Sequence, residues 1–151
     1  MALLVPREGD VQLLTDLLGG GTLENWQLGL FNSNIAPAET DVASTYTAHE
    51  TAFTSYARKT LTRGVGSSTW NTVVSQAPSG SPAWSARGQV GHSQYGSAAQ
   101  SWTCGASGDT IYGYFIVGAT SGKLICAEAF ATPRTLANGD TLSITPIFEN
   151  A

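Results

Sequence analysis

Apolar residues follow two different spacings along this chain. In the segment EGDVQLLTDLLGGG, Val11, Leu14 and Leu18 recur at helical intervals, with Leu13 and Leu17 beside them. Asp10 stands where it could cap the first turn, and Gly19 to Gly21 end the run. The spacing therefore predicts a short amphipathic helix of two or three turns. So short a helix is unstable alone, and its leucines must dock, either on the rest of the chain or on a partner. The glycine triplet makes residues 1–21 a detachable arm ahead of a β domain at 22–151.

From Trp26 onward the period falls to two. WQLGLFN alternates Trp26, Leu28 and Leu30 on one face, and strand-like runs follow at 55–62, 68–75, 82–90, 99–104, 110–117, 123–130 and 140–148. Gly, Pro, Ser and Asn clusters separate them, and Asn138-Gly139 is a turn signal before the last. Roughly eight short strands at this spacing predict an all-β fold, an antiparallel β-sandwich that is jelly-roll-like. No helices alternate with the strands, which excludes a parallel βαβ sheet.

Two of these runs flank Gly118 to Gly122 and read as a hairpin. In TIYGYFIV, period two puts Ile111, Gly113, Phe115 and Val117 on one face and Tyr112, Tyr114 and Ile116 on the other. Both faces are apolar, whereas an antiparallel strand commonly keeps one face wet. A loop, the helix or another subunit must therefore cover the tyrosine face, and tyrosine suits a subunit contact. In KLICAEAF the same period groups Leu124, Cys126, Glu128 and Phe130 opposite Ile125, Ala127, Ala129 and Ala131. A carboxylate in an apolar row needs a partner. Arg134 could supply it, and so could a base from a neighbouring chain.

Composition narrows the function. Charged residues make up only 12% of 151 residues, so little charge is available to solvate the surface, and contact with neighbours is expected. The net charge is -4 and no basic run exists, which argues against nucleic acid as a partner. No stretch approaches the ~20 apolar residues of a membrane span, and MALLVPREGD lacks the basic start of a signal peptide. Cys104 and Cys126 read as buried thiols, with one disulfide as the alternative.

Motifs with chemistry are incomplete. HETAF begins like a zinc-protease helix, but Phe53 occupies the place of the second histidine and His92 lies elsewhere. GHSQYG around Ser93 has Tyr95 where a nucleophile elbow requires glycine. GVGSST lacks the later glycine and lysine of a phosphate loop. Glu128 has no second carboxylate or histidine placed beside it by sequence. No metal, cofactor or catalytic residue is expected. Trp70, Trp84 and Trp102 could build a carbohydrate platform or could simply pack in the core.

Three segments, at 28–62, 100–130 and 131–148, carry the ordered motifs LGLFN, FTSYARKTLT, YGYF and AEAFATPRTLANGDTLSITP. With the opening LLVPREGDVQLLTDLL they resemble small proteins encoded in tailed-phage and prophage genomes, generally without an assigned function. The resemblance spans most of the chain apart from about 63–98. In that pattern a tryptophan commonly stands near the position of Cys126, where this chain departs from it. The resemblance implies a virion protein assembled in the host cytoplasm, with no catalytic residue to carry over. The expected role is a non-enzymatic decoration or cement protein that binds a major capsid protein or other virion proteins as a homo-oligomer, for instance a trimer. Its expected interface residues are Leu14, Leu17, Leu18, Tyr112, Tyr114, Ile116, Glu128 and Arg134. The rival expectations are a host-glycan-binding module of a tail or head fibre, a neck or tail completion protein, and a small hydrolase using Ser93 or Glu128.

Overall fold

The computed structural model describes residues 4–19, 23–63, 70, 74–76, 90–94 and 99–150. Helix α1 is Arg7–Leu18, β1 is Trp26–Phe31, α2 is Ala43–Thr47 and β2 is Lys59–Leu61. The short strands β3 (Val74–Gln76), β4 (Val90–Gln94) and β5 (Gln100–Thr103) follow. Then come β6 (Asp109–Gly118), β7 (Leu124–Leu136), β8 (Thr141–Ile144) and β9 (Ile147–Asn150). Among the described residues the strands form three antiparallel sheets, ordered β2-β1-β6-β7, β3-β4-β9 and β5-β8. The fold is thus mostly β and antiparallel, as the alternation predicts.

The hairpin at Gly118–Gly122 is present: β6 and β7 pair antiparallel, and Gly122 takes the left-handed conformation (φ 66°) that closes the turn. Other boundaries differ from the expectation. The last predicted strand divides at Thr145 and Pro146, because proline has no N–H to continue a ladder. Its first half pairs with β5 and its second with β4. The turn at Asn138-Gly139 joins β7 to β8, which belong to different sheets, so it moves the chain between sheets instead of closing a hairpin. Only Lys59–Leu61 of the run at 55–62 is a strand. The predicted run at 82–90 and the GVGSST loop lie almost wholly outside the described residues.

Two register shifts overturn the expected faces of the hairpin. Between Ile111 and Gly113 the pairing skips from Arg134 to Ala129, so Phe130–Pro133 bulge out of β7. Ile111 therefore joins Tyr114 and Ile116 on one face, and Tyr112 packs with Phe115 and Val117 on the other. A second shift lets Ile125 bulge, so that Ile116 faces Cys126 and Val117 faces Leu124. Leu124 then shares a face with Ala127 and not with Cys126.

Apolar clusters cover both faces of the β1–β6–β7 region. On one face Trp26, Leu28, Leu30, Ile111, Tyr114 and Ile116 meet Trp102, Leu142 and Ile144 of the β5–β8 sheet. On the other, Phe31, Phe115, Val117, Leu124 and Ala127 lie under Tyr46 of α2. The second face is shaped by two cross-strand pairs, Gly29 opposite Phe115 and Gly113 opposite Phe31. Each aromatic ring lies against a glycine, and a Cβ on Gly29 would stand 2.5 Å from the Phe115 ring. Tyr46 covers this face, and its ring stacks on Phe115 at a 5.9 Å centroid distance.

Candidate functional site

Helix α1 starts at Arg7, with Pro6 preceding it, one turn earlier than the expected cap at Asp10. Proline fits a helix start because its missing N–H needs no partner there. The inner side of the helix carries Gly9, Gln12, Leu13 and Asp16, and the outer side Val11, Leu14 and Leu18, with Leu17 at its edge. Gly9 is buried so closely that a Cβ would stand 2.2 Å from the Ile125 carbonyl oxygen. Leu13 packs on the main core, as does Val5 ahead of the helix. Deeper along the inner side the contacts are polar: Gln12 donates to Asp16 at 2.8 Å, and Arg63 pairs with Asp16 at 2.8 Å.

The outer side is apolar and bare. Val11, Leu14, Leu17 and Leu18 are 65%, 55%, 76% and 78% exposed, and Leu23 beyond the helix is 56% exposed. The helix is therefore turned outward relative to the ordinary rule that the apolar stripe faces the core. Leucine docking on the chain's own domain is realised by Leu13 alone; Leu14, Leu17 and Leu18 face solvent.

Polar fastenings explain how the helix holds this orientation. Leu4 and Ala127 exchange backbone hydrogen bonds of 3.1 and 3.0 Å, extending the edge of β7 by one bridge. The Glu8 carboxylate accepts the N–H of Ala43 at 3.0 Å, the N–H of Leu124 at 2.9 Å and the Lys123 ammonium at 3.3 Å. Burial disfavours its charge, but the Leu124 and Ala43 amides and Lys123 outweigh that and hold its pKa below the ordinary carboxylate value. Glu24, on the far side of the helix, accepts the N–H groups of Thr120 and Ser121 and the Ser121 hydroxyl. Its pKa is lowered too: burial opposes the charge, and the Ser121 and Thr120 donors with the nearby Arg63 charge prevail. Sequence reading missed both carboxylates, since their partners are backbone amides 35 to 116 residues away, which no spacing reveals.

The remaining expected interface residues fall in different places. Tyr114 and Ile116 are 6% and 1% exposed, covered by the chain's own core, so a second subunit is not what buries them. The reason is the register shift at Tyr112, which aligns their face with Leu28, Leu30 and Trp102. Tyr112 is half-buried on the opposite face. Glu128 lies directly across from Tyr114 and accepts its hydroxyl at 2.5 Å. Burial and the Glu128 charge push the Tyr114 phenol well above its ordinary pKa. Arg134 is exposed opposite Ile111.

A groove of 740 Å³ opens beside this pair, between the bulged half of β7 and β8, lined by Glu128, Phe130, Pro133, Arg134, Asp140 and Leu142 among others. It mixes apolar and charged groups.

The motif HETAF is not helical. His49 follows α2 in a turn, Glu50 bridges to Phe31, and Phe53 is in the core. Glu50 instead receives a two-pronged contact from Arg58 at 2.8 and 2.6 Å and the Tyr56 hydroxyl at 2.6 Å. Among the described residues no group of three or more His, Cys, Asp or Glu could hold a metal ion. No helix of the described residues is long and apolar enough to cross a membrane. Cys104 and Cys126 are buried and unlinked. Trp102 is a core residue whose indole N–H donates to the Ala57 carbonyl at 2.7 Å, and Trp70 packs edge-on against Trp26. Trp84 and the side chains of His92 and Ser93 lie outside the described residues. In comparisons with known proteins, no family model and no curated protein matches this chain.

Proposed function

We propose that this chain is a non-enzymatic structural protein of a tailed-phage particle, which decorates or cements the shell as an oligomer and attaches through the outer face of α1. The observation that carries the reading is the row of Val11, Leu14, Leu17 and Leu18, exposed together on one side of a helix whose polar side is fastened to the body. A contiguous apolar patch on an otherwise folded domain is the usual mark of a contact surface. Asp10 is exposed on the same helix and no base stands in its last turn, so the chemistry that fits is an apolar groove with a basic rim. The placement in a virion rests on the resemblance of the ordered motifs. With it goes a sandwich of jelly-roll-like order, supported by the cluster that joins the β1–β6–β7 face to the β5–β8 sheet. Repetition around a symmetric shell lets a modest contact per subunit suffice.

The test is the copy number of the chain in purified particles of the phage or prophage that encodes it. Hundreds of copies per particle support a shell protein, about a dozen place it at the neck or tail, and absence from particles overturns the reading.

A further inference from the structure

We propose that helix α1 is an acid-releasable strap: the Glu8 and Glu24 carboxylates fasten the chain near its start and beyond its end to the β6–β7 hairpin, and protonating them frees the second half of α1 from the body. Both carboxylates are surrounded by donors. Glu8 faces two backbone N–H groups and an ammonium. Glu24 faces two backbone N–H groups and a hydroxyl. A protonated acid keeps a carbonyl oxygen for the amides, but at Glu8 its O–H would face the Lys123 ammonium, a donor that it cannot accept from, and at both sites the remaining bonds lose their charge assistance.

Among the described residues, little else retains the second half of the helix. Its outer leucines are exposed, and its inner side offers the Asp16–Arg63 ion pair. The first half keeps the Leu4 bridge and the packing of Val5 and Leu13. The charged group that faces Glu8 is Lys123 of the hairpin turn; Arg7 and Asp10 are its neighbours along the helix, and the loop leading to α2 carries Glu39, whose carbonyl accepts the Arg7 N–H, and Asp41, whose carboxylate is held by Ala38 and Tyr46. Arg63 is the cation near Glu24. Both carboxylates titrate below their unfolded values, so their contribution is present above the ordinary carboxylate pKa of about 4.3 and is lost as pH falls through the lowered values. Only the use of this release in attachment rests on the reading in the preceding section; the fastening itself does not.

The experiment is hydrogen exchange, read as protection factors so that the intrinsic effect of pH is removed. In the double variant Glu8→Gln/Glu24→Gln at pH 7, the amides of residues 11–18 should lose protection at least tenfold while those of Ile111–Val117 are unchanged. In the unaltered protein, lowering the pH should release 11–18 before the sheet. Unchanged protection of 11–18 in the double variant overturns the proposal, and so does an equal loss in β6, which would make the carboxylates part of the core's stability. Copy number in particles is untouched by either result, so the two readings fail separately.

Discussion

Gly29 and Phe115 face each other across β1 and β6, and the phenyl ring occupies the space that a side chain at position 29 would need. Tyr46 stacks on the same ring, which leaves it no direction in which to yield. Gly29→Ala should therefore destabilise the protein by about 1–3 kcal/mol, the range for overpacking a filled core. Adding Phe115→Leu should recover part of that loss, so the pair costs less than the sum of the single changes. Denaturant unfolding of the three variants measures the coupling, and strict additivity would contradict the close approach.

Alkali should unfold the protein through its tyrosines. Burial, with a neighbouring carboxylate in each case, raises the phenol pKa of Tyr46, Tyr56 and Tyr114. A group raised in the folded state contributes stability that is complete below its unfolded pKa, about 10 for tyrosine, and is lost as pH climbs above that value. Phenolate absorbance should show these three ionising together with loss of the β signal in circular dichroism. Independent ionisation of all three with the fold intact would refute this.

Tyr56 supports the chain at two points, accepting the N–H of buried Leu30 at 3.0 Å and donating to Glu50. Tyr56→Phe should cost about 1–3 kcal/mol, because it strips the acceptor from a buried amide. Arg58→Lys should cost about 1 kcal/mol or less, since the ion pair is partly exposed and loses only its second prong. Thermal melts of the two variants should rank in that order.

Two changes in α1 should behave in opposite ways. Leu14→Gln with Leu18→Gln alters only exposed positions, and the unfolding free energy should stay within about 0.5 kcal/mol for each. The same pair should abolish sedimentation with particles. Gly9→Ala pushes a methyl into the Ile125 carbonyl, so it should detach the helix and lower the melting temperature. A stability loss in the leucine variant equal to that of Gly9→Ala would mean that the outer face is packed after all.

Strand positions were legible where the signal is local. The alternation in WQLGLFN and the glycine-bounded turn at 118–122 mark β1 and the β6–β7 hairpin from a few residues each. The facing of Tyr112 and Leu124 was not legible, because a bulge is a property of two paired strands and one strand's pattern does not contain it. The same limit applies to α1. Its leucine spacing marks a helix, but the direction the leucines face is set by Glu8, Gly9 and Asp16 acting on Leu124, Ile125 and Arg63. A carboxylate at Glu128 in an apolar row calls for a partner, and the Tyr114 hydroxyl across the hairpin is one that the pattern of a single strand does not reveal.

The outward turn of α1 separates two selections that usually fall on the same residues. The fold depends on Gly9, Leu13 and the inner carboxylates, whereas Val11, Leu14, Leu17 and Leu18 contribute almost nothing to keeping the chain folded. Those four positions are free to drift with whatever they touch while the β domain stays the same. Variation among relatives should therefore be periodic along the helix, fast at 11, 14, 17 and 18 and slow at 8, 9, 13 and 16.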